Sequence, residues 1–438
     1  MITVVGTGTG APVGEDVLAG AALVVGGRRH LDAVRLPDGA ERVVLGPLAP
    51  ALDVIERHLE KESRVVVLAS GDPGFFGIVR VLAERFGSRR LEVRPGVSSV
   101  AAAFARVGLP WDDAVVVSAH GRELRTALNV CRAHPKVAVL TGPGAGPAEL
   151  GAALRHHARD ASAGPVAVPA AGSPEPETAS AHAPRERVLV VACALGSAEE
   201  RVERVTPAEA AARNWGSDVS VVLCLDETRA LGGVRTVAGA PAGPARWALD
   251  EGGFAHRDSM ITKFEVRALA LARLGPRLGD LVWDVGAGSG SVAVECARLG
   301  AAVVAVEKAA DGVARIRANA RAHGVDVDVV HGSAPECLDA LDDPDAVFVG
   351  GGGRELPAVV GACARRARRT VVVAMAALDR VPAARQALTA AGFTCDGVLL
   401  QSSRLAPLPG DVTRLAATNP VFLLWGDRTP VPSEGVVQ

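Results

Sequence analysis

Twice in this chain an apolar run that reads as a buried strand opens at once into a glycine loop. Ile2–Val5 runs into Gly6-Thr7-Gly8-Thr9-Gly10, and Leu281–Val285 runs into Gly286-Ala287-Gly288-Ser289-Gly290. A strand apolar along its whole length is covered on both faces, as strands of parallel sheets are. Glycine at the strand end admits positive φ and lets a ligand approach the backbone. The helix that follows supplies unpaired N–H donors. Two such openings, far apart in a chain of 438 residues, point to two α/β domains, each with its own ligand loop.

The intervening pattern agrees. In the first half, strands are expected at Ala22–Val25, Arg64–Ala69, Leu91–Val93, Ala114–Ser118 and Val137–Leu140, with helices at Asp53–Glu62 and Ile78–Phe86. Later β-runs, Val188–Cys193 and Val219–Leu225, follow one another closely and suggest a mixed second layer. Ala158–Arg187, rich in Ala, Pro, Ser and Glu, reads as a mobile loop or insertion. Gly232–Gly243 is the best linker candidate, which gives domains at 1–231 and 251–438 joined by 232–250. In the second half, strands and helices alternate from Lys263 to Ala391. Thr262 and Glu265 offer a capping box for a helix at Lys263–Leu274. Val398–Gln401 and Val421–Trp425 read as two closing antiparallel strands with a loop between them.

Composition narrows the function. The net charge is -2, and 43 of the 47 basic residues are arginines, the lysines being Lys61, Lys136, Lys263 and Lys308. With abundant Ala, Gly and Val, this reads as coding bias rather than a nucleic-acid footprint. The seven cysteines form no CxxC pair, so neither a disulfide framework nor a zinc site is expected. No apolar run approaches membrane-spanning length, and no signal peptide opens the chain. A soluble, cytoplasmic protein is the expectation.

In the second half, Asp284, Gly286, Gly288 and Gly290 form the loop, and Glu307 ends the next strand about 21 residues beyond Gly286. An acid there can accept hydrogen bonds from ribose hydroxyls. By spacing alone, S-adenosylmethionine (SAM) and a dinucleotide both fit. Yet the NAD fingerprint wants a sixth-position glycine, where this chain has Ser291. Gly-x-Gly-x-Gly preceded by Asp284 resembles the first motif of class I SAM methyltransferases. That resemblance implies adenine contacts at Gly332-Ser333-Ala334-Pro335-Glu336, and substrate-facing residues at Gly350, Gly351 and the neighbouring Arg354.

In the first half, Gly6–Gly10 is joined by SGDPGFFG (Ser70–Gly77), PGVSS (Pro95–Ser99), SAHGR (Ser118–Arg122) and LTGP (Leu140–Pro143). In order and content these loops resemble the tetrapyrrole methylases, class III SAM enzymes. The resemblance implies two α/β subdomains with SAM folded between them. Gly6, Gly8, Gly10, Gly71, Asp72, Pro73, Ser98, Ser99, Leu140 and Thr141 would line the cofactor, and His120 and Arg122 would meet substrate. Asp72 is also a natural turn residue, and Ser98 a natural helix cap.

The fusion of the two halves resembles the bifunctional precorrin methyltransferases of cobalamin biosynthesis, with Gly252–Leu274 and Asn419-Pro420 adding to the likeness. The resemblance implies two SAM molecules per chain and no required metal. It implies methylation of precorrin-6B at carbons 5 and 15, with loss of the ring C acetate carboxylate, to give precorrin-8X. Candidate clamps or acid/base groups are His256, Arg257, Asp258, Lys263 and Arg267, with Arg404 and Arg414 weaker. A homo-oligomer is expected, and neither nucleic acid nor membrane as partner. The rival readings are a methyltransferase pair for another tetrapyrrole, a SAM-binding regulatory protein, and a dehydrogenase.

Overall fold

The two glycine openings lie in separate units. The first takes Met1–Leu124, Pro135–Ala152 and Glu186–Ala240; the second takes Pro241–Gln438 with Arg125–His134 and Ala153–Arg185. The computed structural model describes residues 1–9, 13–160, 187–216, 219–233, 235–239, 243–257, 260–351 and 353–428. Gly10, Asp258 and nearly all of Ala158–Arg187 lie outside the described residues, as do parts of 232–250.

The first unit holds two five-stranded sheets. One contains β1 (Ile2–Thr7), β2 (Leu23–Gly26), β3 (Glu41–Val44), β4 (Val65–Ser70) and β5 (Leu91–Arg94) in the order β3-β2-β4-β1-β5, all parallel. Alternate residues face opposite layers. Ile2, Val4, Val65 and Val67 pack on Ala51 and Ile55 of the helix Leu48–Glu60, while Val5, Val66 and Leu68 pack on Val17, Leu18 and Leu31. Burial on both faces is why these strands read as unbroken apolar runs. The other sheet contains β6 (Val115–Ser118), β7 (Lys136–Leu140), β8 (Val188–Cys193), β9 (Arg201–Val205) and β10 (Val219–Leu225) in the order β6-β7-β10-β8-β9. Only β6 and β7 are parallel there, so the layer is mixed, as the late β-runs suggested.

The second unit is one seven-stranded sheet. It contains β11 (Leu281–Val285), β12 (Ala302–Glu307), β13 (Asp328–His331), β14 (Ala346–Val349), β15 (Thr370–Met375), β16 (Thr394–Leu400) and β19 (Val421–Asp427). The order is β13-β12-β11-β14-β15-β19-β16, with β19 antiparallel to both neighbours. The stretch between the last two strands is not the simple loop expected. It is an antiparallel ribbon of β17 (Ser403–Leu408) and β18 (Val412–Ala417), turned at Gly410 with φ +79°. Leu405 pairs with Leu415 and Leu408 with Val412 across it, and Pro407 and Pro409-Gly410 obscure the strands in the sequence. Among the described residues no helix is long and apolar enough to cross a membrane.

In the first unit the strand ends meet backbone to backbone. A Cβ on Gly6 would lie 2.0 Å from the Gly71 carbonyl oxygen and 2.3 Å from the Gly96 nitrogen. Gly6→Ala should therefore destabilise the first unit by about 3 kcal/mol or more, the upper end for overpacking. Gly20→Ala, at φ +70° with nothing within 4 Å, should cost only about 1–2 kcal/mol of left-handed strain. Denaturant unfolding of the two variants checks the ranking, and equal costs would contradict it.

Candidate cofactor and substrate sites

The expected first-unit residues gather into two groups. In one, the loops after β1, β4 and β5 interlock. The Gly71 amide donates to the Thr7 carbonyl (2.8 Å), and the Thr9 hydroxyl donates to the Val97 carbonyl (2.6 Å). A Cβ on Gly71 would sit 3.2 Å from Ser98 Cα and Ser99 N. Asp72 accepts the Gly74 amide, and Ser98 caps the helix Ser99–Val107 by accepting from Ala101 (3.1 Å). In this structure both residues thus fill turn and cap positions. In the second group, the Ala119 amide donates to the Leu140 carbonyl, and a Cβ on Gly142 would meet His120 Cα at 2.9 Å. His120 and Arg122 are exposed there, and Thr141 donates to the Val219 carbonyl.

One cluster escaped the sequence reading. His30 is buried beside Gly8, whose Cβ would lie 2.8 Å from the imidazole Cε1. Its Nε2 lies 2.7 Å from Ser70 Oγ, which also accepts from Arg29 (2.8 Å). Burial first, and Arg29 second, push the imidazole down to about 4. A lone histidine in Gly-Gly-Arg-Arg-His carries no periodic signal that would have marked it.

In the second unit, Gly286 (φ +73°) lets the loop after β11 touch the loop after β14: a Cβ there would meet Gly351 N at 3.0 Å. A Cβ on Gly350 would in turn lie 3.0 Å from Phe348 Cε1 and 3.3 Å from the Gly286 carbonyl oxygen. Gly288 (φ +58°) has nothing within 4 Å of its Cβ position, so its backbone faces open space. Gly290 begins the helix Ser291–Arg298 in the left-handed region. Glu307 ends β12 beside this loop. Its two carboxylate oxygens accept the Gly288 amide (2.8 Å) and the Ala309 amide (2.9 Å). Its own carbonyl accepts from Gly332, which brings Ser333 and Ala334 alongside. Asp284 is buried below the loop and accepts the Ala293 amide (2.9 Å). Desolvation, reinforced by the Glu307 charge, pushes its carboxyl up to about 7.

The His256–Arg267 cluster divides. His256 and Arg257 are exposed, and Arg257 lies 3.9 Å from Asp311. Lys263 is the N-cap residue of the helix Phe264–Leu274. Arg267 is wholly buried; its guanidinium donates to the Thr262 (2.5 Å) and Leu249 carbonyls, 3.6 Å from Glu295 and over the Phe254 ring. That organises the strap before the helix (residues 249–257 and 260–262) and leaves no face of the guanidinium for a substrate. The expected Thr262–Glu265 capping box does not form. Glu251 reaches forward instead and accepts the Phe264 amide (2.9 Å), while Glu265 turns to Arg404. Arg404 makes four hydrogen bonds of 2.7–3.1 Å to Glu251 and Glu265, which hold Glu251 down at about 2. Arg354 is exposed at the start of the helix Leu356–Arg366.

Both units place glycine loops at the carboxyl ends of parallel strands, the arrangement of two methyltransferase folds in one chain. The family described as tetrapyrrole (corrin/porphyrin) methylases matches residues 1–211, and the precorrin methyltransferase domain matches residues 253–425. A precorrin-6Y C(5,15)-methyltransferase [decarboxylating] of Sinorhizobium sp is 36% identical over 363 residues, covering 81% of this chain and 79% of the relative. The chain belongs to that family, and it is a SAM-using methyltransferase. Two shorter relatives each align with about a third of it. A probable cobalt-precorrin-6B C(15)-methyltransferase (decarboxylating) of Pyrobaculum calidifontis is 38% identical over 37% of this chain and 87% of its own. A cobalt-precorrin-7 C(5)-methyltransferase of Salmonella typhimurium is 36% identical over 34% of this chain and 75% of its own.

The raised Asp284 carboxyl carries a pH signature. A carboxyl that holds its proton in the folded state up to about 7, but loses it near 3.8 when unfolded, contributes stability that is full below 3.8 and lost as pH rises to 7. Across that window the second unit should lose roughly 4–5 kcal/mol from this group at about 1.4 kcal/mol per pH unit. Asp284→Asn should flatten that slope in cofactor-free protein, read by denaturant titration at several pH values. An unchanged slope would contradict the assignment.

Proposed function

We propose that the chain carries two SAM sites and divides its chemistry between them. The first domain (1–231) methylates carbon 5, and the second (251–438) methylates carbon 15 and decarboxylates the ring C acetate of precorrin-6B. Residues 232–250 join the two. The observation that carries this reading is a set of glycine loops gathered at strand ends in each unit, each unit matched by its own methyltransferase family. The two shorter relatives support it further: 87% and 75% of their lengths align with this chain, and each is named for a single methylation, at carbon 15 with decarboxylation and at carbon 5.

SAM brings a methyl group on an electron-poor sulfonium. In the second domain the open backbone at Gly288 admits the cofactor, and Glu307, already turned to that backbone, accepts from the ribose hydroxyls. Ser333 and Ala334 flank the adenine. Gly350, Gly351 and Arg354 border the macrocycle. In the first domain Gly6, Gly8, Gly71, Asp72, Pro73, Ser98, Ser99, Leu140 and Thr141 hold the cofactor, with His120 and Arg122 toward the substrate. A reduced macrocycle has electron-rich meso carbons, so alignment and proximity supply most of the catalysis. Decarboxylation breaks the bond between the acetate methylene and its carboxylate. Carbon dioxide leaves, and the electron pair enters the conjugated, protonated ring. Strap residues His256, Arg257 and Lys263 bind the remaining carboxylates. Arg267 and Arg404 hold the strap rather than the substrate. The exposed Leu405–Leu415 pair on the ribbon supports a homo-oligomer, and a biosynthetic role supports a cytoplasmic setting.

The division is tested with fragments. One starting near residue 240 should release labelled carbon dioxide from carboxyl-labelled precorrin-6B and add one methyl by mass. One ending near residue 232 should add a methyl and release none. Carbon dioxide from the fragment ending near residue 232, with none from the fragment starting near residue 240, would refute the assignment.

A further inference from the structure

We infer that Asn319 is a positioning residue that couples the cofactor loop of the second unit to the strap bearing His256 and Arg257. Loading the loop would then set the strap for substrate. The inference rests on the reading of residues 284–307 as a cofactor site.

The helix Ala310–Ala322 touches both elements with one stripe of side chains. Ile316, Asn319 and His323 fall at i, i+3 and i+7, the same face of a helix. Ile316 lies under the loop: a Cβ on Gly290 would sit 2.9 Å from its Cγ2. Asn319, 2% exposed, spends its amide on both partners. Its Nδ2 donates to the Ser289 carbonyl in the loop (2.7 Å) and to the Ala255 carbonyl in the strap (2.9 Å). Its Oδ1 accepts the Ala255 amide (2.7 Å). His323 continues the stripe, with Nε2 2.7 Å from the Gly253 carbonyl and its ring 4.9 Å from the Phe254 ring. Phe254 and Ala320 share a small buried cluster with Ile261 and Val294. The strap residues just before His256 therefore rest on the same helix face as the glycine loop.

One buried amide joining two loops makes their positions interdependent. If Ser289 moves away, a buried N–H loses its partner, and leaving such a donor unpaired is costly. The Asn319 amide then reorients, and its two bonds to Ala255 go with it. A cofactor that fixes the loop backbone thus fixes the amide, and the amide fixes the strap. Coupling of this kind is reciprocal: substrate held by the strap tightens the cofactor by the same factor.

Hydrogen exchange on the full chain, with and without SAM, tests this. In the wild type, SAM should slow exchange at residues 286–290 and also at 253–257, the latter about fivefold or more. Asn319→Asp keeps an oxygen for the Ala255 amide but loses both donors. In that variant SAM should still protect the loop while strap exchange stays unchanged. At saturating SAM its KM for the tetrapyrrole should rise about fivefold, with kcat within about twofold. Strap protection that follows SAM in the variant as in the wild type would overturn the coupling. If Asn319→Asp does not fold, the wild type decides alone: loop protection without strap protection overturns the coupling. SAM that protects neither segment overturns the cofactor-site reading as well.

Discussion

Everything at the candidate sites depends on backbone meeting backbone at the ends of parallel strands. In the first unit β1 lies between β4 and β5, so three loops leave the sheet side by side. Gly6, Gly71 and Gly96 let them interlock at distances no side chain tolerates. In the second unit β11 lies between β12 and β14, and Gly286 and Gly351 make the same kind of contact. Once the strand order is set, the loops must crowd. Crowded loops made of glycine present peptide N–H groups and open space instead of side chains. Glu307 ends the strand beside the second unit's loop, its carboxylate fixed by the Gly288 and Ala309 amides.

Around the second loop, buried charge does the anchoring. Glu295, with no exposure, accepts the Leu249 amide (2.5 Å) and Arg298 Nη1 (2.9 Å) and sits beside Arg267. Removing one member would leave its partner charged and unpaired in a dry interior, which is strongly unfavourable. The same logic on a half-exposed scale ties Arg404 of the ribbon to Glu251 and Glu265. These ties fix both ends of the strap and leave His256 and Arg257 facing outward.

Much of this was legible in the sequence. Leu281–Val285 was bounded to the residue, because a strand buried on both faces is an apolar run ending at glycine. The two closing strands were found, though β16 begins four residues earlier, at Thr394. Strands β3 and β9 were missed: Glu-Arg-Val-Val and Arg-Val-Glu-Arg-Val are edge strands whose charges hide the period. Sequence spacing gathered His256, Arg257, Lys263 and Arg267 into one cluster, but only packing distinguishes an exposed arginine from Arg267 in the core. Asn319 and Glu251 were invisible for a related reason. Their partners lie 64 and 153 residues away, and no local pattern encodes such pairings. The Asn319 signal was one polar residue on the buried face of an otherwise amphipathic helix.

The central claim is that each unit holds its own SAM site. Titration calorimetry of the full chain measures it most directly, run on the wild type and on Glu307→Ala. The account predicts two sites in the wild type. In the variant one site should weaken about 10- to 150-fold, the cost of roughly 1.5–3 kcal/mol for lost charged hydrogen bonds, and the other should keep its affinity. A single site in the wild type, or a variant in which both sites keep their affinity, would contradict it.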